Sequence, residues 1–234
     1  MLTTCRPGRR AGSHDYANCG AFTAFCPPLL GNWASIADVL SPGALRAHLP
    51  TAKPAGAVAT SREDRSPVLL GTGHPHRLLG FYAALADALS TAGCAVLTPA
   101  HGRCIDITTR FGLRTYALDY VRGVAFVRKT GREAAGCEPG AHTHSPLPVR
   151  SVPAAAAEAG GPLPWLVIGD HGRVCGAGQL GFEGVGPADT DDPAPFVGET
   201  EGRVSVAVPL DDAVRSAYYG PLTRYVLNRA CLSQ

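Results

Sequence analysis

Lysine is scarce in this 234-residue chain: of 21 basic residues only Lys53 and Lys129 are lysines, and the rest are arginines. No basic run stands out, and 19 acidic residues nearly cancel the basic ones, which argues against a general nucleic-acid surface. The 8 cysteines, Cys5, Cys19, Cys26, Cys94, Cys104, Cys137, Cys175 and Cys231, include no CxxC pair. A zinc ribbon and a secreted disulfide framework are therefore not indicated, and reduced thiols are expected. No apolar stretch follows Arg6, Arg9 and Arg10 as a secretory signal requires, and no window reaches transmembrane length. These absences lead to the expectation of a soluble cytoplasmic protein without nucleic-acid or membrane partners. Composition leaves the oligomeric state open.

Glycine and proline are plentiful, 28 and 20 residues, and imply many turns. Residues 1–35 show no useful period and read as irregular or disordered, Cys26-Pro27-Pro28 included. Residues 36–65 read as a helical arm and linker, with a short helix over Ala44–Leu49 capped by Ser41 and carrying Pro42 at its first position. Ala55–Thr60 could be a strand or an extended arm. Residues 66–234 then form an α/β domain with a mainly parallel open sheet and flanking helices.

That domain is organised around Ser66–Thr98. Val68-Leu69-Leu70 is an apolar strand, Gly71-Thr72-Gly73-His74-Pro75 a turn, and Leu78, Tyr82, Leu85 and Leu89 one face of a helix. Gly93 ends the helix, and Cys94-Ala95-Val96-Leu97 is a second, parallel strand. In such sheets ligands bind beyond the carboxyl ends of the strands, which places Gly71–Arg77 at a helix N-terminus suited to an anion. Further along, Tyr116–Tyr120 and Gly123–Arg128 read as two strands, Ala154–Ala159 as a helix and Pro164–Ile168 as a buried strand. The glycines from Gly176 to Gly186 suggest turns. Val204, Val206 and Val208 alternate as a strand, and Asp211-Asp212 are assigned as caps of a helix over Ala213–Tyr219, broken by Gly220-Pro221.

Histidine is where the chemistry concentrates. His74, His76, His101, His142, His144 and His171 all fall in segments expected to end strands or begin helices. His142 and His144 alternate in an extended piece, so both imidazoles can face one ion, and Asp170-His171 adds a carboxylate and a third ring. A divalent metal, Zn²⁺, Mn²⁺ or Mg²⁺, is expected on His142, His144, Asp170 and His171; no nucleotide cofactor is indicated. His74, Asp170 and His171 are the catalytic candidates. Gly71, Thr72 and Gly73 are assigned to cradle a phosphate, with His76, Arg77, Asp189 and Asp191 completing the substrate set. Each has a plainer reading: helix cap or surface for His74 and His76, an Asx-rich turn for Asp189, Asp191 and Asp192, packing for Cys175.

The ordered set Gly71-Thr72-Gly73-His74-Pro75, His142-Thr143-His144-Ser145-Pro146, Asp170-His171-Gly172, Ala188-Asp189-Thr190-Asp191-Asp192-Pro193-Ala194 and Val208-Pro209-Leu210-Asp211-Asp212 resembles an actinobacterial protein family known simply as phosphatase. Val58–Glu63 is similar to an early motif of that family. The resemblance implies hydrolysis of a small-molecule phosphoester. Arg173 and Pro195 stand where the family pattern prefers an aromatic and a leucine, and the long helical segment that members carry before the Gly-His-Pro strand is missing here. Two alternatives accompany the hydrolase reading: an inactive phospho-ligand-binding remnant, and a lyase or isomerase using the same loops.

Overall fold

The computed structural model describes residues 27–47, 67–130 and 140–232. Eight strands form one sheet: β1 (Pro67–Gly71), β2 (Ala95–Val96), β3 (Cys104–Thr109), β4 (Gly112–Val121), β5 (Val124–Lys129), β6 (Leu166–Gly169), β7 (Glu183–Ala188) and β8 (Val206–Pro209). Their order is β3-β4-β5-β1-β6-β7-β8, with β2 paired to β1 off that path. β1 lies parallel to β2, β5 and β6, and the β6, β7, β8 series is parallel throughout. Among the described strands, the β3-β4 and β4-β5 pairings are antiparallel. The sheet is mixed but mainly parallel, with flanking helices, as expected.

The organising unit forms as its periodicity predicts. Helix Pro75–Thr91 starts with proline in its first turn and buries Leu78, Tyr82, Leu85 and Leu89 completely. Each such side chain contributes about 1.5–3 kcal/mol of transfer free energy. Gly93 takes φ +95° just after the helix, and Cys94 N–H donates to the Leu89 carbonyl at 2.9 Å, which turns the chain into β2.

Several expectations are corrected. Residues from Pro27 onward are not irregular: helix Pro27–Val39 lays Trp33, Ile36 and Ala37 into the main core, followed by Leu40. Their spacing of three and four was present but was obscured by the proline-rich entry. The short helix after it spans Pro42–Ala47, and Ala44 N–H reaches Ser41 Oγ at 3.3 Å, as the capping signal implied. The possible strand over Ala55–Thr60 and the charged linker after it lie outside the described residues.

The segment read as turns forms helix Gly172–Gln179 and strand β7. Its glycines serve close packing instead: a Cβ on Gly178 would sit 2.2 Å from the Arg203 carbonyl oxygen. Gly220-Pro221 opens helix Gly220–Arg229 rather than breaking one, and a 3₁₀ turn, Ser216–Tyr219, precedes it.

Candidate active site

The carboxyl ends of β1, β6, β7 and β8 deliver Thr72-Gly73-His74, Asp170-His171-Gly172, Asp189–Asp192 and Asp211-Asp212 to one edge of the sheet. The His142–Ser145 loop is tied to the same edge, because Thr143 N–H donates to the Gly73 carbonyl at 2.9 Å. Three backbones meet so closely that only glycine fits. A Cβ on Gly73 would fall 2.1 Å from the Thr143 carbonyl oxygen, and one on Gly172 would fall 1.9 Å from that of His144.

Asp170 is the buried pin of this joint. Its Oδ2 accepts from Thr72 Oγ1 and its Oδ1 from Gly73 N–H, each at 2.6 Å. Burial opposes its charge, but His74 and these two donors hold its carboxyl below the ordinary range. Thr72 N–H is bonded to the Ala125 carbonyl, and His74 N–H to Thr72 Oγ1. Of the expected phosphate cradle, Gly71, Thr72 and Gly73 are buried, and the amides of Thr72 and Gly73 donate to protein groups. Asp170 likewise stands behind a histidine, its Oδ2 3.9 Å from His74 Nδ1.

Arg173 is buried and bridges two of the loops. Its guanidinium donates to the Thr72 carbonyl at 3.2 Å and the Ser145 carbonyl at 3.3 Å. Burial brings its pKa down to about 10 against the opposing charge of Asp170.

Above that joint four imidazoles gather. The His144 and His171 rings stack with centroids 4.0 Å apart, and His74 lies 4.9 Å from His171, 5.1 Å from His144 and 4.2 Å from His142. His74, His144 and His171 each offer a ring nitrogen within 4.8 Å of the others. His142 falls outside this trio, on the exposed side. Burial, then the neighbouring imidazoles, hold His142 and His144 below the ordinary histidine value. His171 moves the other way: burial opposes its charge, yet hydrogen bonding to Asp212, reinforced by Asp170 and Asp192, raises its pKa to about 9.

His171 is also held in an unusual backbone conformation, φ +45° and ψ −120°, which costs on the order of 1–3 kcal/mol in a non-glycine residue. The His144-Ser145 backbone against Gly172, and Asp192 and Asp212 on the two ring nitrogens, hold that conformation and the ring's direction.

Other expected site residues stand outside the imidazole cluster, with Asp191 near enough to His144 to favour its charge. His76 and Arg77 are exposed on the first turn of helix Pro75–Thr91. Asp189 turns back on its own loop, accepting from Thr190 N–H and Oγ1, and Asp191 is exposed. His101 pairs with Asp119 at 3.0 Å away from the cluster, beside Arg128.

Two carboxylates missing from the expected ligand and catalytic sets are central. Asp192 Oδ2 lies 3.0 Å from His171 Nδ1, and Asp212 Oδ2 lies 2.6 Å from His171 Nε2. Asp212 is thus no helix cap. The strand-end rule that selected Asp170 applies equally to the residues after β7 and β8, and would have found both.

A family model described as Phosphatase matches residues 63–234, a span that contains every residue of this cluster. The chain belongs to this phosphatase family. Among curated phosphatase-family relatives, Phosphatase SCO2771 of Streptomyces coelicolor, an actinobacterium, is 40% identical over 179 residues, which make up 76% of this chain and 63% of that protein. The chain thus spans 63% of the length of the relative it matches. No solved structure matches the phosphatase-family chain. No helix among its described residues is long and apolar enough to cross a membrane.

Proposed function

We propose that this chain hydrolyses a small phosphorylated metabolite with a divalent metal held by His74, His144 and His171. The observation that carries this reading is the convergence of those three ring nitrogens within 4.8 Å. The donors suit such an ion: His74 Nε2 and His144 Nε2 are 3.4 Å apart, close to the ~3.3 Å edge that metal–nitrogen bonds of about 2.0–2.1 Å subtend in a tetrahedron. Imidazole nitrogens favour Zn²⁺ or a similar transition ion over Mg²⁺, which prefers oxygen. When bound, such an ion polarises a phosphoryl oxygen and acidifies water.

The chain's own groups supply the rest. His142 is the ring outside the trio and is exposed; its depressed pKa keeps it neutral near pH 7, so it can accept a proton from an attacking water. Arg77 is assigned to the phosphate charge, with His76 beside it. Asp189 and Asp191 would repel phosphate, so they are assigned to hydroxyl donors on the remainder of the substrate.

Elemental analysis of protein purified without chelator, with phosphate release from a phosphoester panel on the same sample, tests the proposal. About one metal per chain and metal-dependent release are expected, with both diminished in His144→Ala. Folded protein that carries no metal and releases no phosphate would overturn the hydrolase reading in favour of a phospho-ligand-binding module.

A further inference from the structure

The two nitrogens of each histidine in the trio face different surroundings, and the pattern separates an inner layer of groups from an outer one. On the Nδ1 side, His171 and His144 share one carboxylate: Asp192 Oδ2 is 3.0 Å from the first and 3.6 Å from the second. His74 Nδ1 is backed by Asp170 Oδ2 at 3.9 Å. On the Nε2 side, His74 faces His144 at 3.4 Å, and Asp212 Oδ2 sits 3.4 Å from His74 and 2.6 Å from His171. Nδ1 nitrogens face Asp170 and Asp192; the Nε2 nitrogens of His74 and His144 face each other, and those of His74 and His171 face Asp212.

A ligating histidine binds metal through one nitrogen and gives the other to an orienting acceptor. Both nitrogens of His171 touch carboxylates, so if His171 is a ligand, one of those carboxylates must stand on the metal side. Only Asp212 among them also faces Nε2 of a second trio member, and its 2.6 Å hydrogen bond with His171 must lengthen toward the ~3.3 Å ligand edge when both bind one ion.

We infer that Asp212 is the oxygen ligand of the metal, completing a three-histidine, one-aspartate set, and that Asp192 is a positioning residue for His144 and His171. This rests on the metal reading proposed above and adds a ligand to it. The site is then built for a borderline transition ion with a single anionic donor, and the carboxylate expected from sequence, Asp170, belongs to the outer layer.

Co²⁺ titration of the full chain, followed by its visible spectrum, tests the assignment without recourse to turnover. Asp212→Asn is expected to weaken Co²⁺ binding by more than about 100-fold, whereas Asp192→Asn, an outer-layer change, weakens it by about 10–100-fold and leaves the spectral envelope intact. Asp212→Cys gives a gain of signal: a thiolate-to-cobalt charge-transfer band in the near ultraviolet, readable even where the asparagine variant folds poorly. Wild-type affinity and spectrum in Asp212→Asn, or a cobalt-loaded Asp212→Cys without the new band, would overturn the assignment while leaving the metal site standing. Wild-type protein that binds no Co²⁺ would remove the metal reading itself, and the ligand with it.

Discussion

The sheet has two halves built to different tolerances. In the parallel half, β6 is buried along its whole length, and β1 and β7 everywhere but their first residues. In the antiparallel wing, β3 alternates exposed and buried residues, and β4 has a single buried position, Leu118. The turn between them carries Phe111 and the second residue of β4 is Leu113, 69% and 66% exposed. All three metal-candidate histidines and both flanking aspartates follow strands of the parallel half or loops tied to them. Chemistry that needs several side chains within a few ångströms is placed where the backbone cannot shift, and the wing widens the sheet without constraining it.

Changes matched across the two halves sharpen that contrast. The largest effect is expected for Gly172→Ala, where the new Cβ would meet the His144 carbonyl at 1.9 Å. It should lose about 3 kcal/mol or more in denaturant unfolding, together with metal binding. Leu118→Ala, in the wing, should cost about 2–3 kcal/mol by opening a cavity yet leave metal stoichiometry unchanged. If it strips the metal as well, the halves are not independent.

The pH response comes next. His171 has its pKa raised from 6.5 to about 9, so the stability it contributes is complete below about pH 6.5 and is lost as pH climbs through 9. His142 and His144, held below the ordinary value, act oppositely on the acid side. In chelator-treated protein the melting temperature should therefore fall between pH 6.5 and 9, and His171→Gln should flatten that fall.

Gly112→Ala in the wing meets no neighbouring atom and pays only for its φ of +94°, about 1–2 kcal/mol. Phe111→Ser, smallest of all, should stay within about 0.5 kcal/mol. A loss well above the ~0.5–1 kcal/mol of the Arg110 guanidinium over the Phe111 ring would mean that the wing tip packs against something in solution.

The helix over Pro75–Thr91 was legible because burial of one face imposes its period directly on the sequence. His74 and His171 were legible as strand-end residues, since strand ends are known once the strands are found, and His144 through its alternation with His142. The glycines from Gly176 to Gly186 misled because a glycine required by a neighbour's backbone is indistinguishable in sequence from a glycine required by a turn. Asp212 misled because a carboxylate near a coming helix has a sufficient local role as a cap, and nothing nearby in sequence reveals a histidine 41 positions back.

By itself the sequence determined the alternation of strands and helices, the parallel sheet and the side of it on which polar groups collect, since each follows from local periodicity and chain direction. Tertiary structure decided which polar groups meet. Asp170 turned inward to satisfy Thr72 and Gly73, while Asp212 and Asp192 took opposite nitrogens of His171. That choice depends on distances across four strands, where a buried carboxylate goes to whichever donors the packed backbone leaves within reach.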